Sequence, residues 1–176
     1  MLPFETERLV VRPLTGGDRP ALMSILTDGE VMKLALMGRP FKEDEARRYI
    51  DEEFATNATE VTKLAVVCLR SSGETIGFTG IFPCPYLPGE LEFGFVLASH
   101  AHGQGFATEI GRKLLDIGFR DLGAARLYAL CSPRNIASRE VLSRKLQMTF
   151  VKDIETPDRG PRAVFERLRD SVTDLP

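Results

Sequence analysis

The sequence predicts one domain of the α/β (α+β) class, with a mixed, mostly antiparallel sheet of about seven strands and about four helices packed on its faces. The chain of 176 residues is long enough to bury one sizeable core and too short to favour two. Its hydrophobic periodicity gives the order β-α-α-β-β-β-α-β-α-β-β, with hairpins in both groups of strands. That order indicates a mixed sheet covered by helices. We expect the domain to span residues 1–170 and the polar segment 171–176 to fray.

The first third of the chain predicts one strand and two helices. The alternating run TERLVVRPL (6–14) predicts the strand, and Asp18 followed by Pro20 is typical of a helix start. A second helix is predicted over 42–54, where apolar residues follow the 3.6-residue period. Residues 29–40 are apolar but contain glycines and a proline, which predicts a loop that either packs in the core or lines a substrate pocket.

The middle of the chain predicts a three-stranded meander. Residues 63–70 and 75–82 form a hairpin around the turn SSGE, and a third strand follows over 90–98. Prolines within 83–88 rule out regular pairing in the connection between them. Alternation divides the third strand into one face with Leu91, Phe93, Phe95 and Leu97 and another with Glu90, Glu92, Gly94 and Val96.

The last third predicts two helices and three strands. A helix over 107–122 precedes a buried strand at 125–132, and a shorter helix occupies 135–146. A second hairpin, 148–155 with 162–169, completes the sheet. The residues expected on the inward faces of the two helices are Ile110, Leu114, Ile117 and Phe119, then Ile136, Val141, Leu142 and Leu146.

Composition argues against several classes of protein. A formal net charge of −2 gives no general reason to expect nucleic acid or an anionic membrane as a partner. The chain has no apolar stretch near the roughly 20 residues that span a bilayer, and its start lacks a secretory pattern. Three cysteines without a C-x-x-C pair indicate reduced thiols in a cytoplasmic protein. The two histidines have no acidic partner at helical spacing, so we expect no metal.

The stretch SHAHGQGFATEIGRKLL (99–115) joins the meander to a helix with very little side-chain bulk. Gly103, Gly105 and Ala107 stand at a helix N-terminus, whose unpaired N–H groups attract phosphate. The sequence has no P-loop, and Thr108 breaks a G-x-G-x-x-G match. A phosphate-binding turn remains, although glycines also serve purely steric roles in tight turns.

Four segments, in this order, resemble the GCN5-related N-acetyltransferases, and within them the group of the ribosomal-protein-alanine acetyltransferases. The segments are ETERLVVRPLTGGD, GETIGFTGI, LEFGFVLASHAHGQGFATE and SPRNIASREVLSRKLQM. The resemblance covers nearly the whole chain, so it identifies residues 1–170 as one acetyltransferase domain. It implies acetyl-CoA as co-substrate.

The family's cofactor signature, Q/R-x-x-G-x-G/A, falls on residues 102–107. The resemblance implies that main-chain amides of 103–108 hold the pyrophosphate and that the main chain of 95–97 pairs with the pantetheine arm. His102 stands where the family has Gln or Arg, and its ring could donate to phosphate. The predicted cofactor contacts are Phe95, Val96, Leu97, His102, Gly103, Gln104, Gly105, Phe106, Ala107 and Thr108, together with Asn135 and Ser138.

Three residues are predicted to act in catalysis. Glu92 is the candidate general base, on a strand position where the group often carries Glu; the alternatives are an ion-paired strand residue or Glu90 as base. Asn135 matches a family asparagine near the pantetheine arm, and Ser138 one near the thioester sulfur, although both could simply cap a helix. Leu142 occupies the position of a tyrosine acid in many relatives, so water or Ser138 is left to protonate the thiolate.

The leading functional hypothesis is an acetyl-CoA-dependent N-acetyltransferase in which an amine attacks the thioester directly. The disfavoured alternative is a mechanism in which the acetyl group passes first to Cys131 and then to the amine. The acceptor would be a protein N-terminus or a small amine such as an amino acid, polyamine or antibiotic. A non-catalytic acyl-CoA-binding module is the rival hypothesis. We expect a cytoplasmic monomer or homodimer, without metal, nucleic acid or membrane.

Overall fold

The computed structural model describes residues 3–54 and 64–169, which fold around one eight-stranded sheet. The strand order is β1-β2-β3-β4-β5-β6-β8-β7. The strands are β1 Phe4–Glu5, β2 Leu9–Arg12, β3 Ala65–Leu69, β4 Thr75–Pro83, β5 Leu91–Leu97, β6 Arg126–Cys131, β7 Thr149–Thr156 and β8 Gly160–Leu168. The helices are α1 Arg19–Thr27, α2 Gly29–Met32, α3 Glu43–Glu53, α4 Phe106–Asp116 and α5 Ile136–Glu140.

The predicted class is confirmed, and the described residues contain one strand and one helix more than expected. Strand β1 has two residues, too few for an alternation to show. Helix α2 is a single turn within the predicted loop 29–40, where the Asp28 side chain accepts hydrogen bonds from the main chain of Glu30 and Val31. The predicted tail 171–176 lies outside the described residues. No helix in the described ranges is long and apolar enough to cross a membrane.

Helices cover both faces of the sheet, so the central strands are buried on both sides. One core contains α4 and the π-helical turn after α5, and the other contains α1, α2 and α3. This arrangement explains why β3, β4 and β8 contain near-continuous apolar runs. The predicted inward residues of α4 and the π-helical turn that follows it are buried: Ile110, Leu114, Ile117 and Phe119.

The expectation that Ile136 faces the core is wrong, because 65% of its surface is exposed. Leu142 and Leu146 of the π-helical turn after α5 are buried, as predicted. Ile136 precedes Leu142 by about one and two-thirds turns of helix, which places the two side chains on different sides.

Strands β5 and β6 are the parallel neighbours at the centre of the sheet, and they separate. β5 pairs with β4 along its whole length, from Leu91 to Leu97. Its pairing with β6 occurs at Glu92, opposite Tyr128. Beyond Glu92, β5 therefore keeps its partner on one side and presents its other edge to a gap in the sheet.

Candidate active site

The glycine turn between β5 and α4 has the geometry of an anion-binding loop. Gly103 and Gly105 have φ values of +75° and +83°, in the left-handed region that favours glycine. A side chain at Gly103 would meet no atom within 4 Å. Gly105 is the N-cap of α4, where no side chain caps the helix. The first N–H groups of α4 thus face an open space that suits a phosphate group.

The side chains of His102, Gln104 and Phe106 contact the protein itself and stabilise the turn. The His102 ring Nε2 lies 2.9 Å from the Leu97 carbonyl oxygen and donates to it. This ring nitrogen therefore bonds to the main chain of β5. Gln104 Nε2 donates to the His100 carbonyl at 2.9 Å. Phe106 is buried in the core, so only its main chain can serve a ligand.

Arg8, which the sequence gave no reason to single out, clamps this turn to the N-terminal hairpin. Its guanidinium donates to the Gln104 carbonyl at 2.9 Å and to Glu109 Oε2 at 2.8 Å, and it lies over the Phe106 ring at 4.5 Å. The Arg8 main chain and the Thr6 hydroxyl donate to Glu109 Oε1. Burial acts to raise the pKa of Glu109, but these hydrogen bonds outweigh it and lower that pKa.

The sequence resemblance implies that this turn binds CoA, and removal of the clamp should then weaken that binding. For Arg8→Ala, we expect the Kd for CoA to rise about tenfold, because the turn loses its charge-assisted hydrogen bonds. Isothermal titration calorimetry measures this change. Arg70→Ala is the matched control, since Arg70 follows β3 and contacts the same hairpin through Thr6 and Glu5 without touching the glycine turn. Equal affinity of the two variants for CoA would contradict a role for Arg8 in holding the turn.

The gap between β5 and β6 opens into a cavity of about 340 Å³. Phe95 and Val96 line it from β5, and residues 129–132 line it from the end of β6. Asn135 and Ser138 border it from the start of α5. The cavity joins the two faces of the sheet, because its lining includes Tyr49 and Leu142, which pack in different cores.

Asn135 and Ser138 lie together at the N-terminus of α5. Asn135 Oδ1 accepts a hydrogen bond from the Ser138 main-chain nitrogen at 3.0 Å, so the capping role is present. The Ser138 hydroxyl and the charge of Arg139 act to lower the pKa of the Cys131 thiol. Burial nevertheless raises the pKa of Cys131, which favours the protonated thiol and disfavours its use as a nucleophile.

Glu92 is buried at the point where β5 and β6 part, with 3% of its surface exposed. Among the described residues, its Oε2 has no hydrogen-bond partner. Burial raises the pKa of Glu92, while the charges of Arg159 and Arg162 and a hydrogen bond from the Cys84 thiol act in the opposite direction. Burial and the neighbouring Glu92 raise the pKa of Cys84 to about 11, so this thiol stays protonated.

Segments that are distant in sequence line the rest of the cavity. Leu34, Ala35 and Leu36 line it, as do Pro83 and Pro85, which agrees with the pocket hypothesis for the loop 29–40. Glu90, the alternative base, is not among the lining residues. Sequence reasoning missed Tyr49, Glu53, Arg159 and Arg162, which complete the wall.

No cluster of metal-ligating side chains occurs within residues 3–54 and 64–169. A glycine turn suited to phosphate, beside parallel strands that separate over a cavity, fits the CoA-dependent acyltransferase that the sequence resemblance implies. The comparison with known families agrees with this class. A model described as "Acetyltransferase (GNAT) domain" matches residues 8–148, so the chain belongs to the GNAT acetyltransferase family.

Relatives and solved structures are consistent with this membership. The chain is 31% identical over 167 residues to the FsC-acetyl coenzyme A-N(2)-transacetylase of Aspergillus fumigatus, covering 89% of this chain and 71% of that protein. The chain is therefore an acetyl-CoA N-acetyltransferase of the GNAT type.

Two solved structures share the fold. The GNAT acetyltransferase of Bacillus anthracis superimposes with a TM-score of 0.80 at 22% identity, covering 96% of this chain and 99% of the other. RimJ of Mycobacterium smegmatis, in complex with CoA-disulfide, gives a TM-score of 0.76 at 16% identity, covering 98% and 91%.

Proposed function

We propose that the cavity holds acetyl-CoA and a primary amine side by side, and that the acetyl group passes directly between them. One observation carries this proposal: the buried Glu92 has an unpartnered oxygen in the same cavity that Asn135 and Ser138 border. An unpartnered buried carboxylate oxygen is unfavourable unless a ligand supplies the donor. An ammonium group is such a donor.

The co-substrate would lie along the gap with its pyrophosphate at the glycine turn. The open space at Gly103 and Gly105 and the uncapped start of α4 fit that group. The main chain of Phe95 has no partner in β6 and suits the amides of the pantetheine arm, whereas the Leu97 carbonyl already accepts from the His102 ring. Acetyl-CoA supplies an acetyl thioester, which an uncharged amine can attack to give an amide and a thiol.

The residues of the chain would move the protons. Glu92, directly or through one water, takes a proton from the ammonium, and its raised pKa brings it nearer to neutral pH, where a general base works best. The amine nitrogen then forms its bond to the acetyl carbon as the carbon–sulfur bond breaks. The new amide nitrogen then loses its extra proton to water, and the leaving thiolate receives a proton from water or through the Ser138 hydroxyl, which borders the cavity.

Of the two acceptor classes, a protein N-terminus and a small amine, we favour the small amine. The cavity of about 340 Å³ has the size of a small-molecule site. The name of the Aspergillus fumigatus relative specifies acetylation at an N(2) position of FsC. We also propose a cytoplasmic location, which is supported by three buried, unpaired cysteines.

Calorimetry with acetyl-CoA, followed by a thiol-release assay on an amine panel, tests the proposal. The panel should contain N-terminal peptides beside small amines, with mass spectrometry to identify the acetylated product. We expect acetyl-CoA to bind and at least one small amine to gain an acetyl group. Tight binding without turnover of any amine would instead indicate a non-catalytic acyl-CoA-binding module.

A further inference from the structure

Two arginines line the cavity together with Glu92. Arg159 follows β7 and Arg162 belongs to β8. Only 6% of the surface of Arg162 is exposed. A guanidinium taken out of water is unfavourable unless an anion and hydrogen bonds compensate for its lost hydration.

The protein itself provides Arg162 with neutral partners. Its Nη1 donates to the Pro161 carbonyl at 3.0 Å, and its Nη2 donates to the Leu36 carbonyl. None of the ion pairs between described side chains includes Arg162. A guanidinium has five N–H donors, so these two bonds leave donors for a ligand.

No acid among the described residues forms an ion pair with Arg162, although three lie nearby. Glu53 and Glu92 line the same cavity, and Glu92 is required in its proposed role as base. Asp158 accepts a hydrogen bond from the Tyr86 hydroxyl and pairs with Arg159, with Oδ2 3.6 Å from Nε. Burial lowers the pKa of Arg162, and the like charge of Arg159 adds to this effect. Arg162 therefore keeps N–H donors that no carboxylate of the described residues occupies.

The backbone fixes Arg162 in position. Leu36, whose carbonyl accepts from Arg162, has a φ of +42°, in the left-handed region that side chains other than glycine rarely adopt. Such a conformation persists where the surroundings hold it, and it is found preferentially at ligand sites. Arg162 thus joins β8 to the wall formed by Leu34, Ala35 and Leu36.

We infer that Arg162, with Arg159 beside it, binds a carboxylate of the acceptor, so that the acceptor is a small amine that carries a carboxylate, such as an amino acid. The inference rests on the proposed function, because it assigns the second functional group of the amine that Glu92 deprotonates. An amino acid has opposite charges on its ammonium and carboxylate, which match Glu92 and Arg162. A guanidinium binds a carboxylate through two parallel hydrogen bonds, and this geometry discriminates against an uncharged amide.

Product binding tests this assignment without requiring turnover. N-acetyl amino acids and their primary amides are titrated as matched pairs into the CoA-saturated protein. We expect at least one acid to bind about 10- to 100-fold more tightly than its amide, since it alone offers a charge-assisted pair. In Arg162→Gln the acid should lose this advantage, while Arg162→Lys should retain part of it. Arg144→Gln, an exposed arginine paired with Glu140, is the control and should keep the full ratio.

The acid-to-amide ratio separates ligand binding from a merely structural role. If Arg162 served only to hold Leu36, Arg162→Gln would weaken acid and amide alike, and an unchanged ratio would overturn the inference. A panel without any acid preference, or without binding of any acid, would overturn it as well. Melting temperatures of the variants show whether each one is folded.

Turnover distinguishes failure of this inference from failure of the proposed function. Acid-selective binding with no acetylated amine would leave the carboxylate site in place and refute the proposed transfer. Amines without a carboxylate that are acetylated as fast as amino acids would support the transfer and refute the carboxylate site.

Discussion

Replacing Glu92 with glutamine is expected to lower kcat about 100-fold or more, because general-base catalysis contributes about 10²- to 10⁴-fold. Glutamine has nearly the shape of the carboxylate but cannot accept the ammonium proton. Calorimetry should give a Kd for CoA close to that of the wild type, since the glycine turn lies at the other end of the gap. Thiol release at saturating amine measures kcat.

The pH profile of the same variant gives an independent result. Wild-type Glu92 must be ionised to accept a proton, so kcat should fall as the pH is lowered through its pKa, which burial raises above that of an ordinary glutamate. Glu92→Gln should lack this acid limb. Wild-type turnover by Glu92→Gln at neutral pH, or an acid limb in its profile like that of the wild type, would exclude Glu92 as the base.

Glu92→Gln should be more stable than the wild type at alkaline pH, although its kcat is lower. Burial disfavours the ionised form of Glu92 in the folded protein, so the wild type loses stability relative to a neutral residue as the pH rises above the pKa of the unfolded chain. Above the raised pKa of Glu92 in the folded protein, this loss of stability becomes constant. Thermal unfolding at pH 8 should therefore show a higher melting temperature for Glu92→Gln, and the difference should vanish near pH 4.

Glu90→Gln is the matched control for these measurements. It makes the same chemical change two residues earlier, at a half-buried position outside the residues that line the cavity. We expect its kcat to stay near the wild-type value. A loss of kcat in Glu90→Gln but not in Glu92→Gln would assign the base to Glu90.

Hydrophobic periodicity made most of the strands and helices predictable, and the elements that it did not predict are too short to show it. Strand β4 and helix α4 are long enough for alternation or helical spacing to show. β4 lies within one residue of its expected bounds, and so does α4 when the π-helical turn that continues it to Asp121 is included. Strand β1 and helix α2 extend for two and four residues, so local patterns cannot reveal them. Helix α2 depends on the cap at Asp28 rather than on an apolar face.

The candidate site was predictable where its residues are neighbours in the chain and unpredictable where they are not. The turn around Gly105 and the acid at Glu92 lie within one continuous motif. Arg8 and Arg162 reach the same site from the two ends of the chain through hydrogen bonds to Gln104 and Leu36. Such contacts depend on tertiary packing. For Arg162 the sequence did contain a signal, namely a charged residue beside a run of buried apolar ones in β8.

Substituting Gly105 with valine is expected to weaken CoA binding more than about 100-fold while the protein remains folded. Gly105 has a φ of +83°, where a side chain costs about 1–2 kcal/mol, and a β-branched residue is especially unfavourable. A Cβ there would lie 3.5 Å from Arg8 Nη2, an ordinary contact, so the protein itself has room for it. In our proposal, the remaining space belongs to the pyrophosphate, which the valine side chain would displace from the N–H groups of α4.

Gly123→Val separates this displacement from backbone strain. Gly123 has a φ of +67° and open space around its Cβ position, but it lies in the turn before β6. Both variants should lose a similar amount of thermal stability, because both force valine into the left-handed region. Only Gly105→Val should lose affinity for CoA in calorimetry. Tight CoA binding by Gly105→Val would show that the glycine serves the turn alone, and comparable losses of affinity in both variants would attribute the effect to strain.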